Sequence, residues 1–187
     1  SARDLYALLA DRQVRMVPKP FAVGFRVEHP QALIDDIQYG RWAASEALPA
    51  AYYEISTQVG ADAAQRGAYS FCMCPGGSIV PTPTREGEVC VNGMSHAARS
   101  GKYANSALVV TVDPSDMPSG QGGAASTLRG VEFQRNAERA AWEAGGGAFV
   151  APAQRLTDFL AGQPSGDVRR TTYKRGVAGA EIGRAHV

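Results

Sequence analysis

Between Phe21 and Glu28 the chain alternates without a slip. Phe21, Val23, Phe25 and Val27 share one face; Ala22, Gly24, Arg26 and Glu28 share the other. Only an extended backbone puts every second residue on the same side, so this stretch is a half-buried strand. It constrains the whole chain, because the other strand-like segments follow in neighbouring groups. Tyr53, Ile55, Thr57 and Val59 alternate again within 52–59, and Ala68–Cys72 and Ser78–Val80 read as short strands. Glu88–Asn92 and Ala107–Val112 complete the set. Strands grouped in this way, without strict alternation with helices, favour an α+β architecture with a mixed, largely antiparallel sheet and flanking helices.

The helices are marked by caps and by the 3.6-residue period. Ser1-x-x-Asp4 is a small capping box, and Leu5, Leu8 and Leu9 give a stripe, so residues 2–12 form a short helix ended before Pro18 and Pro20. His29-Pro30 breaks the first strand and opens a helix with an apolar side of Leu33, Ile34 and Ile37 and a stop at Gly40. The clearest helix carries Phe133, Ala137, Ala140, Ala141 and Ala144 on one side and ends at Gly145-Gly146-Gly147. Phe149-Val150 reads as a small strand, and Leu156, Phe159 and Leu160 as a last helix ended at Gly162. Residues 61–67 read as a connection, 95–105 as a polar loop or brief helix, and Pro114–Ser126 as a flexible glycine-rich loop.

A chain of 187 residues can bury one proper core, so a single domain over 1–187 is expected. A net charge of +1 gives no reason to invoke nucleic acid or an acidic membrane as partner. The short basic group Arg169, Arg170, Lys174 and Arg175 reads as solvated surface, with phosphate contact as the other role open to it. No run is long enough to span a bilayer, and the start lacks the pattern of a secretory signal. Three cysteines, two of them separated by one residue, argue against a disulfide framework and for a reducing cytoplasm. His29, His96 and His186 are far apart, with no two-histidine helix motif and no CxxC pair, so no metal site is expected. Gly145-Gly146-Gly147 follows a helix, whereas a dinucleotide-binding glycine fingerprint follows a strand and opens a helix. Both ends read as cut from a longer polypeptide.

The chemistry-bearing residues cluster in two segments. Tyr69-Ser70-Phe71-Cys72-Met73-Cys74-Pro75-Gly76-Gly77 packs two thiols, a rigid proline and two adjacent glycines into nine positions. Fifteen residues on comes Asn92-Gly93-Met94-Ser95. On an extended backbone Cys72 and Cys74 project to the same face, as core fillers or as the lining of a pocket. The turn at Pro75-Gly76-Gly77 could offer successive peptide N–H groups to an anion or a polarised carbonyl. Asn-Gly is a strong turn signal, so Asn92–Ser95 reads as a turn; alternatively Asn92 and Ser95 are adaptable hydrogen-bonding groups beside a flexible Met94. Arg26 and Glu28 read as an exposed, weakly interacting pair, with a substrate carboxylate as the other role open to Arg26.

Taken together, Lys19–Gln31, Tyr69–Gly77, Asn92–Ser95, Asn105–Val112 and Gly130–Gln134 resemble a largely uncharacterised family of bacterial FAD-dependent dehydrogenases. The resemblance runs in order along the whole chain. It implies a parent with an N-terminal Rossmann-type FAD domain, a region like this chain interposed as the substrate or cap side, and a C-terminal return to the flavin. On that basis residues 1–17 form the edge of the FAD domain. FAD belongs to the intact parent and is not bound by this chain alone, and an unknown small molecule is the substrate. The resemblance assigns no catalytic residue. Cys72, Cys74, Pro75, Gly76 and Gly77, with Asn92, Gly93, Met94 and Ser95, are the expected flavin- or substrate-facing surface, and Arg26 and Glu28 are secondary candidates. Two rivals stand beside this reading: a non-catalytic interaction or dimerisation module, and thiol redox chemistry at Cys72 and Cys74.

Overall fold

The computed structural model describes residues 2–62, 65–83, 85–117, 124–168 and 170–180. Ser1 of the capping box, residues 118–123 of the expected loop over Pro114–Ser126, Arg169 and the C-terminal 181–187 with His186 lie outside the described residues; of the rest of that loop, Pro114–Asp116 forms a 3-10 turn and Ala124–Ser126 belong to a helix.

The main sheet has four antiparallel strands. β1 (Phe21–Pro30) pairs with β6 (Tyr103–Val112), β6 with β3 (Arg66–Cys74), and β3 with β2 (Ser56–Val59). A two-stranded antiparallel ribbon of β4 (Gly77–Pro81) and β5 (Val91–Ser95) packs against it, and β7 (Ala151–Ala153) pairs in parallel with β8 (Val177–Gly179). The helices are α1 (Arg3–Asp11), α2 (Gln31–Tyr39), α3 (Ala124–Ala144) and α4 (Leu156–Leu160). The α+β class and the largely antiparallel sheet are therefore as the sequence implies.

Alternation placed β1, although the strand runs on through His29 and Pro30, paired with Ala104 and Tyr103, where the sequence implies a break; its apolar face meets helices. The Phe21 ring packs edge-on against Phe133 of α3 at 5.9 Å between centroids, and Phe25 against Phe159 of α4 at 6.3 Å. This geometry suits aromatic quadrupoles better than a face-to-face stack. Helix α3 ends where Gly146 and Gly147 take φ of +81° and +88°, angles that cost a side-chain-bearing residue most.

Several elements differ from the sequence reading. The second strand contracts to Ser56–Val59, leaving Tyr53 and Ile55 outside it. The third begins at Arg66, inside the expected connection, and runs to Cys74. Pro75 and Gly76 form the turn as expected, but the strands on either side of it belong to different sheets. The Asn92–Ser95 segment is strand β5, not a turn. The expected loop over 95–105 gives up Tyr103, Ala104 and Asn105 to β6. Ala148 and Phe149 have positive φ, so the small strand starts at Ala151. In α2, Ile34 is buried whereas Leu33 and Ile37 are exposed; the buried companion of Ile34 is a polar residue, Gln31.

Gln31 is one sign of an interior that is polar at its centre. Asn105 and Ser106 are both 0% exposed in the middle of the sheet. Such residues are mostly found at surfaces, so each requires a hydrogen-bonding account.

Candidate functional site

Arg26 lies on β1 directly opposite Ala107 of β6. That small neighbour leaves its side chain room to cross β6 and reach β3. Nη1 of Arg26 donates to Oδ1 of Asn105 at 2.6 Å and to the Cys72 carbonyl at 3.2 Å, and Nη2 donates to Oδ1 of Asn92 at 3.0 Å. Residues of β3, β5 and β6 thus converge on one guanidinium, and all three acceptors are neutral. Among the described residues no carboxylate forms an ion pair with it. Two donors of the cluster, Nε of Arg26 and Nδ2 of Asn105, are buried without a partner. Asn105 cannot cure this by turning its amide over, because its oxygen is already the acceptor for Arg26.

The Cys72 carbonyl is aimed by a bulge. Phe71 pairs with Ala107 and Cys74 with Asn105, so three steps along β3 match two along β6. The extra residue bends the strand, and Cys72 takes a φ of +51°. For a residue with a Cβ that angle costs about 1–2 kcal/mol. The bulge also cancels the same-face argument for the two thiols. Cys72 is exposed, whereas Cys74 is buried and donates from Sγ to the Cys72 carbonyl at 3.3 Å. Burial first, then the neighbouring Cys72, pushes the Cys74 thiol up from its ordinary value, which holds it protonated at neutral pH.

Gly93 is placed where only a glycine fits. A Cβ there would lie 2.2 Å from Oδ1 of Asn105, 2.3 Å from Nη1 of Arg26 and 2.8 Å from Sγ of Cys74. The missing side chain is what lets β5 lie against the pair. Its neighbours hold it down: Asn92 Oδ1 accepts from the Gly93 N–H at 2.8 Å, and Ser95 Oγ donates to the Pro75 carbonyl at 2.9 Å. Met94 points outward and is 57% exposed.

Pro75, Gly76 and Gly77 are buried, and the Gly76 N–H is already taken by Oε1 of Gln31 at 2.8 Å. The same Gln31 side chain donates from Nε2 to the Ala51 carbonyl and to Oδ1 of Asp35, each at 2.9 Å. Gln31 therefore clamps the turn to α2, and the Gly76 N–H is not on offer to an anion.

Arg26 and Glu28 are not a pair. Glu28 instead accepts from the Thr172 N–H at 3.0 Å and from the Thr172 hydroxyl, tying the C-terminal segment to the sheet. Beyond it, Nε2 of His29 lies 2.9 Å from the Tyr53 hydroxyl, and Nδ1 of His29 is buried without a partner. Desolvation lowers the pKa of His29 and raises that of Tyr53.

The structure therefore brings Arg26, Cys72, Cys74, Asn92, Gly93 and Ser95 together, and leaves Glu28 and Met94 outside the cluster. Asn105 and Gln31 lie in segments that carry the family resemblance, but the sequence assigns neither a place in the site. The available signal for Asn105 was that Asn105-Ser106 runs into Ala107–Val112 with no glycine or proline to separate them. A shallow depression lined by Gln38, Tyr39, Trp42 and Leu48 lies elsewhere, beside α2. Among the described residues no three His, Cys, Asp or Glu side chains converge as metal ligands, and no helix is long and apolar enough to cross a membrane.

The chain is 47% identical over 160 residues to a Clostridium beijerinckii protein named only as uncharacterized. The match covers 86% of this chain and 29% of that protein, so the chain spans less than a third of its relative's length. Residues 20–185 match the model of the family described as FAD-dependent protein, C-terminal domain-like, and they include every residue of the cluster around Arg26. The chain belongs to that family.

Proposed function

We propose that this chain is the substrate-side domain of an FAD-dependent oxidoreductase, interposed in its parent beside a Rossmann-type FAD domain of the same polypeptide. Its polar cluster around Arg26 would face the flavin or a small-molecule substrate. The observation that carries the reading is a pair of buried, unsatisfied donors, Arg26 Nε and Asn105 Nδ2, in a chain of this family. A buried donor without an acceptor costs about 1–3 kcal/mol and calls for an explanation, which an oxygen of a bound flavin or substrate supplies here.

The residues fit one part of FAD and not another. The unpartnered donors of Arg26 and Asn105 suit an oxygen-bearing edge such as that of an isoalloxazine or a substrate. The sequence contains no Gly-x-Gly-x-x-Gly after a strand, so the diphosphate belongs to flanking polypeptide. When bound, FAD supplies the hydride or electron chemistry; this chain positions and orients. A cytoplasmic location accompanies the reading, with neither nucleic acid nor membrane as partner.

The test is FAD titration into this chain and into the full-length parent. The reading expects yellow, FAD-retaining full-length protein and no tight binding by the chain alone. Tight retention by the chain alone would overturn the division of labour, and a colourless full-length protein would overturn the assignment.

The second reading, an interaction or dimerisation module, is favoured by one observation. Phe25, Leu108, Val110 and Phe159 are each more than a third exposed. Sedimentation of this chain distinguishes the two, because a stable dimer at micromolar concentration supports the module.

A further inference from the structure

We infer that the Arg26 guanidinium is a binding site for the carboxylate of a small organic acid, received side-on at its Nε–Nη2 edge. The inference rests on the substrate-side reading above and names its substrate class.

The guanidinium has five N–H donors. Nη1 is committed twice, to Asn105 and to the Cys72 carbonyl, so its edge is fixed to the sheet. The opposite edge is made of Nε and Nη2. That edge meets a carboxylate with two parallel hydrogen bonds, a fork that lysine cannot offer. On it, Nε has no partner, and Nη2 has only the amide oxygen of Asn92, an exposed residue on β5. The charge is likewise unbalanced, since the three acceptors are neutral and Glu28, the carboxylate two residues away on the same face, is committed to Thr172. Asn105, which is 0% exposed, contributes a second unpartnered donor at Nδ2.

Asn92 therefore acts as an exchangeable stand-in for a ligand oxygen. An incoming carboxylate displaces one neutral acceptor at Nη2 and satisfies the buried Nε–H at the same time. The exchange favours the carboxylate, because it replaces one bond to a neutral amide oxygen with two parallel bonds to an oppositely charged group. The bulge at Cys72 and the glycine at 93 hold the guanidinium in place, so the movement a carboxylate requires is that of the exposed Asn92 side chain, which uncovers the buried Nε.

The experiment follows the Arg26 Nε–H resonance by ¹H–¹⁵N NMR as sodium benzoate is added to this chain, with sodium chloride at matched ionic strength as the control. The resonance is identified by its loss in Arg26→Lys. The expected result is a saturating shift with benzoate and none with chloride. Arg26→Lys, read through the neighbouring amide signals, should weaken benzoate by about tenfold through loss of the fork. Asn92→Ala should bind benzoate more tightly, because the competing amide is gone, and a damaged fold does not produce a gain of affinity. A shift that stays linear, one that chloride reproduces, or an Asn92→Ala variant that binds more weakly overturns the inference. Inorganic phosphate binding about tenfold more tightly than benzoate would assign the edge to a phosphoryl group and overturn the carboxylate. The titration contains no FAD. Its failure would remove the carboxylate and leave the flavin assignment standing, whereas a colourless full-length parent removes the flavin and leaves the titration intact.

Discussion

The replacement Gly93→Ala tests the cluster at its tightest point. The added carbon would stand 2.2 Å from Oδ1 of Asn105 and 2.3 Å from Nη1 of Arg26, an ångström or so inside ordinary contact. It would sit between two atoms that are themselves bonded at 2.6 Å. The tip of Arg26 can swing away, but Asn105 is fully buried and cannot. Relief therefore breaks the bond between them. A hydrogen bond to a charged group contributes about 1.5–3 kcal/mol, and overpacking a filled site adds about 1–3 kcal/mol. Replacing glycine where φ is ordinary returns roughly 0.4–1 kcal/mol through the unfolded chain. The net loss is about 3 kcal/mol, and for a chain of this size each kcal/mol lowers Tm by roughly 2–4 °C. Thermal unfolding should then show Tm falling by about 10 °C. Gly166→Ala is the control, since nothing lies within 4 Å of its added carbon, and it should leave Tm almost unchanged. Asn105→Ala combined with Gly93→Ala should cost less than the two singles together, because the first removes what the second strikes. A Gly93→Ala protein that melts within about 2 °C of the parent would refute the placement of β5 on the Arg26–Asn105 pair.

Gln31→Leu should cost about 2–4 kcal/mol in urea unfolding, since it strips the buried Gly76 N–H and the Ala51 carbonyl of their partner; an unchanged midpoint would show the clamp to be idle. Glu88, 2% exposed, receives Arg3 at 3.3 Å and Arg135 at 3.1 Å; Glu138 still holds Arg3 once Glu88 is gone, so Glu88→Ala should lose only about 1–2 kcal/mol, as read by the same unfolding curves. His29 titrates below the ordinary histidine value of 6.5 because burial disfavours its charged form. The folded state then binds fewer protons than the unfolded one, so its stability holds above about pH 6.5 and declines as pH falls from there toward the lowered value. His29→Gln, which can still meet the Tyr53 hydroxyl, should flatten that decline, and an equal slope in both proteins would locate the titration elsewhere.

How much of this was legible in the sequence depended on range. β1 and α3 were legible because their signals are periodic and local: alternation in Phe21–Glu28, and a 3.6-residue stripe ended by Gly145–Gly147. β5 was not, because Asn92-Gly93 carries strong turn chemistry that tertiary contact overrides. Gly93 is glycine so that a strand can approach a side-chain pair, and the residue type does not distinguish close approach from a turn. The two thiols were misplaced relative to each other because period two assumes an unbroken pleat, and one inserted residue at Cys72 breaks it. The partners of Arg26 lie 46, 66 and 79 residues away in the chain, and no local pattern announces a polar contact at that separation.

The sheet itself separates the two functional readings. Arg26 stands opposite Ala107, and Phe25 stands opposite Leu108, so one residue of register puts them on opposite faces. The exposed apolar residues Phe25, Leu108 and Val110 share the face that α4 meets through Phe159, while the guanidinium cluster occupies the other beneath β5. A partner seated on the apolar face does not reach the cluster through the sheet, and a ligand at Arg26 does not cover Leu108. Buried polar side chains add little to docking by an apolar face, and an exposed apolar face adds nothing to carboxylate binding. The two properties therefore need separate explanations, and substitutions on one face should leave the other untouched. Leu108→Ser is the informative case: it should alter any self-association seen by sedimentation while the benzoate titration at Arg26 keeps its midpoint. A shifted midpoint would mean that the two faces act as one device, and the substrate-side and docking readings would then have to be merged.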